Sequence, residues 1–315
     1  MVQMIVVAVG LLMFCTAHGQ TPARIVKVSG DRQIAISSNT PSQPFVVKAY
    51  DSSGNPLAGT VLLIAPGADP GLNYVQDEFG FRGFNTVGPV FYQSFGSINP
   101  AYYAVTDSSG RAQASGPYVD YPSSAFSIVA RPMGGGSSAA ARFAVVLLKS
   151  QPAGNPAVVV EFFHSEVRHY FITLLDNEVS ALDEGAFVGW ERSIGSFVAY
   201  RSAADAPAGS IAICRFFSPQ FTSHFYSADQ KECDAVVTKW PTVWTLETRE
   251  AFYVLPPNAV GDCAAGYQPV SRLFNNSPAP NHRYVTDAAL RDRMVNAGWT
   301  VEGRGAAGAV FCVPA

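Results

Sequence analysis

Three aromatic phrases in the second half of the chain each carry a histidine. They read Phe162-Phe163 with His169-Tyr170-Phe171, Phe216-Phe217 with His224-Phe225-Tyr226, and Leu273-Phe274 with His282-Arg283-Tyr284. The histidines recur at intervals of 55 and 58 residues, and a tryptophan follows each of them: Trp190, Trp244 and Trp299. An imidazole can bond hydroxyls, and a flat aromatic face can stack on a sugar ring. His169, His224 and His282, with Tyr170, Tyr226 and Tyr284 beside them and the three tryptophans as floors, are therefore the candidate ligand-binding set. Three equivalent pockets would give avidity for a polymeric glycan. The same residues also have a structural reading, and repetition favours it. Residues that determine a fold recur in every copy, and large aromatics are mostly buried.

Other chemistry is harder to find. The chain holds no G-x-S-x-G elbow, no H-E-x-x-H, and no Gly-rich phosphate loop in a βαβ setting, so no catalytic residue is assigned. His164 and His169 flank Glu166, but a spacing of five along a strand puts the rings on opposite faces. No metal and no other cofactor is expected. Two-carboxylate hydrolysis draws acidic residues from distant positions, and nothing in the sequence selects such a pair. The expectation is a non-enzymatic binding or adhesion protein. The alternatives are a secreted hydrolase of cell wall or glycan and a purely structural envelope protein.

These residues need elements to hold them, and composition limits which. Of 315 residues 48% are hydrophobic and only 14% charged, with 27 Gly and 22 Pro, which suits a turn-rich β protein rather than long solvated helices. A net charge of −3 without a basic tract argues against a nucleic-acid partner. Residues 1–19 read as a signal peptide: Met4–Phe14 is apolar but too short to span a bilayer, and Ala17-His18-Gly19 makes a small-x-small site before Gln20. Cys15 as a lipidated residue is the weaker reading, since bulky Phe14 precedes it. No other stretch is apolar enough for a membrane helix, so the mature chain is expected to lack a transmembrane segment and to be extracellular or periplasmic. Four cysteines then remain, Cys214, Cys233, Cys263 and Cys312, and an oxidising compartment makes disulfides the default. Proximity favours Cys214–Cys233, which leaves Cys263–Cys312. Zinc is disfavoured because no C-x-x-C knuckle occurs.

Residues 20–150 alternate short β-rich runs with Gly, Asn, Asp and Ser turns, about seven strands in all, as in a β-sandwich. Val47-Lys48-Ala49-Tyr50-Asp51-Ser52-Ser53-Gly54-Asn55-Pro56 and Val105-Thr106-Asp107-Ser108-Ser109-Gly110 carry the turn signals. These phrases resemble bacterial immunoglobulin-like domains of the invasin and intimin type, which implies a spacer or adhesion module. An insertion over 68–103 is dense in aromatics. It would either present them to a ligand or bury them, and burial is favoured because large exposed apolar patches are rare. A Pro-containing linker at 151–157 leads to residues 158–315, where each copy reads strand, strand, short helix, strand, strand. Period and content predict an all-β fold with short helices, the second half β-trefoil-like. Arg215-Phe216-Phe217, Ala251-Phe252-Tyr253-Val254, His282-Arg283-Tyr284-Val285-Thr286-Asp287 and Gly298-Trp299-Thr300-Val301-Glu302-Gly303 resemble a repeat family of unknown function found in secreted bacterial and fungal proteins. In the first copy Glu161 stands where that pattern has Arg. A cell-wall or extracellular glycan, or a surface protein, is the partner to which the signal, the repeats and the absence of a catalytic constellation point.

Overall fold

A computed structural model describes residues 21–36, 41–66, 102–115, 125–133 and 139–315, with the backbone of short strands between 68 and 119. The segment read as a signal peptide, Cys15 included, and most of the aromatic-rich stretch 68–103 lie outside the described residues. The fold is all-β with three short helices among the described residues.

Twelve strands come first among the described residues: β1 (Arg24–Ser29), β2 (Gln33–Ile36), β3 (Phe45–Tyr50), β4 (Val61–Pro66), β5 (Ala68–Asp69), β6 (Tyr74–Val75), β7 (Phe81–Phe84), β8 (Tyr102–Val105), β9 (Arg111–Ala114), β10 (Pro117–Val119), β11 (Ala125–Pro132) and β12 (Ala141–Leu148). They form a β1-β3-β9 sheet and a β2-β12-β11-β4-β8 sheet, with small β10-β7 and β5-β6 pairs. The turn chemistry works as its residue types dictate. Asp51 accepts from the backbone N–H groups of Ser53 and Asn55, and Asp107 from those of Ser109 and Arg111. Phe45, Val47 and Ala49 of one sheet meet Phe126, Ile128 and Phe143 of the other in one apolar core.

Strand β12 has two buried faces. Phe143, Val145 and Leu147 enter the core between the sheets, whereas Ala144, Val146 and Leu148 enter a second core with Val158 and Val160. The second half of the chain thus packs directly on the outer face of this sheet. A cluster of charges closes the junction. Arg192, 3% exposed, donates two hydrogen bonds to Asp31 at 2.7 Å and two to Asp183 at 2.7 and 2.8 Å. Lys27 pairs with both carboxylates as well. Burial opposes ionisation of Asp31, but the charges of Arg192 and Lys27 outweigh it and hold its carboxyl well below the usual range.

The second half is one unit built three times: hairpin, helix, return strand, closing strand. The first copy has β13 (Pro156–His164), β14 (His169–Thr173), α1 (Asp176–Asp183), β15 (Trp190–Arg192) and β16 (Phe197–Tyr200). Its first strand begins inside the segment read as a linker. The second has β17 (Ile211–Ala212), β18 (Cys214–Ser218), β19 (Ser223–Ser227), α2 (Gln230–Lys239), β20 (Thr245–Thr248) and β21 (Tyr253–Val254). The third has β22 (Tyr267–Phe274), β23 (His282–Val285), α3 (Ala288–Asn296), β24 (Thr300–Glu302) and β25 (Ala309–Pro314). Asp229 and Asp287 cap α2 and α3 through side-chain bonds to Lys231 N and Leu290 N. In the first copy the cap position is Leu175, and Asp176 turns instead to Arg32 and Arg201. Cys214–Cys233 ties β18 to α2, and Cys263–Cys312 ties the start of the third copy to its end. This is the pairing that proximity favoured.

Cross-strand register fixes which residues correspond. Phe163 faces Tyr170, Phe217 faces His224, and Phe274 faces His282. Tyr170, not His169, is therefore the counterpart of His224 and His282. The first phrase is displaced by one residue, so the apparent histidine triplet is a coincidence of letters. His169 corresponds to Ser223 and Asn281, and its ring nitrogens lie 3.1 Å from the carbonyl oxygens of Thr222 and Ala279, in the other two copies. Asn281 closes the same end by bonding Tyr170 N, Tyr170 O and Ser223 Oγ.

Equivalent residues meet around one approximate threefold axis. The rings of Phe197, Phe252 and Phe311, one from each closing strand or its edge, lie 6.0–6.1 Å apart in a near-equilateral triangle. Each copy also reaches into the next. Phe171 packs on His224 at 4.4 Å, Phe225 on His282 at 5.1 Å, and Arg283 on Tyr170 at 4.0 Å, which closes the ring. Arg215 pairs with Glu178 of the first copy, and Arg272 with Glu232 of the second. At the closing junction the charges are inverted. Glu161 occupies the Arg position and takes Arg283 in a bidentate pair, 2.7 and 3.0 Å, with both side chains fully buried. Ser193 Oγ and Gly195 N also donate to this carboxylate. A Cβ at Gly195 would sit 2.2 Å from Glu161 Oε1, so glycine is required there.

Removing one partner leaves a buried charge unpaired. Glu161→Gln and Arg283→Met should each cost about 3–5 kcal/mol in urea unfolding, and the double variant less than the sum. Independent losses below about 1 kcal/mol would show that the pair does not close the ring.

An aromatic groove at the junction of two copies

The first two junctions repeat one arrangement. On the receiving copy, an arginine of the first hairpin strand is gripped by two carboxylates, one from the preceding helix and one from its own return strand. These sets are Arg215 with Glu178 and Glu247, and Arg272 with Glu232 and Glu302. The helix glutamates sit in the first turn of α1 and α2, where the helix dipole favours a carboxylate. Each arginine also lies over the phenyl ring of the preceding copy, Phe171 at 5.7 Å and Phe225 at 5.0 Å.

The histidines complete this set from behind. Nε2 of His224 lies 3.5 Å from Glu247 Oε2, and Nε2 of His282 lies 3.2 Å from Glu302 Oε2. Their Nδ1 atoms are buried without a partner among the described residues. The rings are held between aromatic faces, His224 by Phe171 and Phe217, and His282 by Phe225 and Phe274. They orient carboxylates and present no free nitrogen to solvent. Burial, and then the Arg215 charge, push His224 down to about 3. At Glu302 burial opposes ionisation, but the His282 hydrogen bond and the Arg272 charge outweigh it and hold the carboxyl below its ordinary value. At Glu247 burial wins over the Arg215 charge, and the carboxyl is raised.

A groove of about 670 Å³ opens at the second of these junctions, within the roughly 300–1,000 Å³ typical of ligand sites. Trp244, Phe221, Phe225 and Phe274 line it, Trp240 stands at its edge with 49% of its surface exposed, and Arg272 with Glu232 and Glu302 forms its polar wall. Asp229 starts α2 and Lys239 ends it, so Trp240 falls at the helix C-cap and Trp244 just before the return strand β20. The helix-to-strand turn thereby places both indoles on one side.

The residues singled out from sequence divide sharply. Trp244 and His282 line the groove, the histidine as part of its inner wall. Trp190 packs on Phe171 and His164 at the first junction, and Trp299 on Tyr170 at the third. Tyr226 and Tyr284 are 1% exposed at the axis, where Tyr226 Oη bonds Ile172 O and Tyr284 Oη bonds Tyr226 O. Tyr170 and His169 are buried as well. The expectation that His164 and His169 point to opposite faces of one strand is overturned. They are cross-strand partners on β13 and β14, because a turn separates them. Even so, no group of three or more His, Cys, Asp or Glu able to hold a metal lies among the described residues. Trp240 and Phe221 are not repeated in the other phrases, and the carboxylates that grip Arg272 lie far from it in sequence, so the sequence alone does not single them out.

The profile of a domain of unknown function (DUF5648) matches residues 143–255, about a third of the chain. The matched stretch starts inside β12 and takes in the first two copies. No curated protein matches the chain. Two disulfides accord with an oxidising compartment, and no described helix is long and apolar enough to cross a membrane.

The low value at His224 sets a pH dependence. Between about 6.5 and about 3 the unfolded chain protonates this imidazole and the folded chain does not. The unfolded state binds more protons there, so its contribution to stability is complete above the unfolded value and declines as pH falls, by up to ~1.4 kcal/mol per unit. His224→Gln, with Arg215, Glu178 and Glu247 left in place, should show a smaller drop in urea midpoint between pH 7 and pH 4.5 than the unaltered chain. An equal drop in both would count against a neutral buried imidazole.

Proposed function

We propose that the chain is an exported, non-enzymatic binding protein whose groove between the second and third copies takes up a cell-wall or extracellular glycan, with the first half as a spacer or adhesive arm. One observation carries this reading: exposed Trp240 and half-buried Trp244 sit in a groove whose polar wall is a preformed Glu232–Arg272–Glu302 network. Indole faces suit the C–H faces of sugar rings, and fixed carboxylate and guanidinium groups suit their hydroxyls. The sandwich-like first half, with two facing sheets and Asp–Gly turns, supports the spacer role, and the disulfides support export. The network also argues against hydrolysis in this groove. A general acid needs a raised carboxyl, whereas Glu302 is held down.

A hydrolase reading draws on one observation at the other junction, where Glu247 is raised while sharing Arg215 with Glu178. The two readings separate in one assay. The full chain should be retained on insoluble peptidoglycan, chitin or cellulose without releasing reducing ends, and Trp240→Ala should weaken retention about tenfold or more. Release of reducing ends that Glu247→Gln abolishes would replace binding by hydrolysis, and no retention on any polysaccharide would remove the glycan reading.

A further inference from the structure

Position by position, the first junction repeats the side chains of the groove's inner wall. Phe171 stands for Phe225, Trp190 for Trp244, Phe217 for Phe274, and the Glu178–Arg215–Glu247 set for Glu232–Arg272–Glu302. The spacings agree as well. Trp190 lies 6.0 Å from Phe171 and Trp244 6.2 Å from Phe225. The carboxylates are similarly open, Glu178 and Glu247 at 24% and 30% against Glu232 and Glu302 at 35% and 32%. The outer rim differs: the hairpin-turn residue Phe221 has Val167 at the matching place of the first copy, and the helix-to-strand turn differs as well. In that turn Trp240 stands four residues before Trp244, whereas the first copy has Phe187 and Val188, 57% and 88% exposed, three and two residues before Trp190. The exposed Phe187 ring, with Val188 equally open to water and Trp190 close by in sequence, is an apolar surface of the kind that marks a contact site.

The third junction lacks this chemistry. Leu290 and Ser193 stand where the carboxylates would be, Glu161 replaces the arginine, and Arg283 replaces the phenyl ring and covers Tyr170. Trp299 packs against Tyr170 in a small core rather than beside a charged wall.

We infer that the junction of the first and second copies, with Trp190 and the exposed Phe187 and Val188 that precede it, is a second glycan site, so that the chain holds a repeating polysaccharide at two points a third of a turn apart while the third junction stays silent. This rests on the glycan reading of the groove. Two linked sites on one polymer gain by effective concentration, so losing either one costs avidity out of proportion to its own affinity.

The test uses the full chain on insoluble peptidoglycan, chitin and cellulose. Phe187→Ser and Val188→Ser alter exposed side chains, and an unchanged melting temperature confirms that they fold; Trp190→Ala removes the floor. On the polysaccharide that retains the unaltered chain, Phe187→Ser and Trp190→Ala should each weaken apparent affinity about tenfold or more, as Trp240→Ala does, and Phe187→Ser with Trp240→Ala should abolish retention. A short oligosaccharide of the same polymer should titrate to two per chain. One per chain, with Phe187→Ser and Trp190→Ala binding like the unaltered chain while Trp240→Ala loses retention, overturns the second site and leaves the first reading intact. Failure of the unaltered chain to bind any of the three overturns both.

Discussion

Three phenyl rings, from Phe197, Phe252 and Phe311, must meet at one point, and most of the second half of the chain follows from that requirement. A single copy of hairpin, helix and two strands is too small to bury its own apolar face. It gains a core only when its neighbours bring their equivalent rings to the same axis. The side chains that pass from copy to copy lie around this point. A phenyl ring reaches onto the next histidine, a helix glutamate grips the next arginine, and Tyr226 and Tyr284 bond backbone oxygens of the copy before. Because these contacts join unlike positions of neighbouring copies, they work only if the ring closes.

Closure falls to the junction whose residues differ most. Glu161, Ser193, Arg283 and Leu290 each replace the residue type found at the corresponding place elsewhere, and the replacements compensate one another. The carboxylate moves to the strand, the cation moves to the opposite hairpin strand, and serine leaves room where a second carboxylate would repel the first. A fully buried ion pair is a poor source of net stability, but a pair of inverted sense can tell one junction from the other two. The first copy carries a second burden. Arg192 sits where the other copies have Leu246 and Val301, and it pairs with Asp31 of the first half of the chain. Its divergence has two physical causes, docking on one side and closure on the other.

Much of this was legible in the residues, and the rest was hidden for definable reasons. The copying of one β unit shows in the recurrence of the phenylalanines Phe163, Phe217 and Phe274 and of the tryptophans Trp190, Trp244 and Trp299. The turns show in Asp51 and Asp107, and the disulfides in the four cysteines that follow Cys15. The unbroken apolar run Ala144–Leu148 is the mark of a strand buried on both faces, as β12 proves to be. Register was not legible. His169 is one residue out of phase with His224 and His282, because hairpin pairing rather than the spelling of the phrase decides which side chain meets which. Charge inversion at Glu161 was visible as a mismatch, but its partner Arg283 lies 122 residues away and nothing local connects them.

The difference between repeated and unrepeated residues also bears on what the surface does. Side chains present in every copy face the axis or the junctions, because closure demands the same thing of each copy. The shared position of Tyr170, His224 and His282 illustrates this: Tyr170 is buried, and both imidazoles have Nε2 facing a carboxylate and Nδ1 buried, so neither offers a free nitrogen to a ligand. Groups free to act outward are those that closure leaves unconstrained, and these need not repeat. Trp240 in one copy and Phe187 with Val188 in another occupy the same helix-to-strand turn with different residues, and all three are exposed. In a threefold module of this kind the repeated positions identify the scaffold, and the turns between them are where exposed side chains are free to differ from copy to copy.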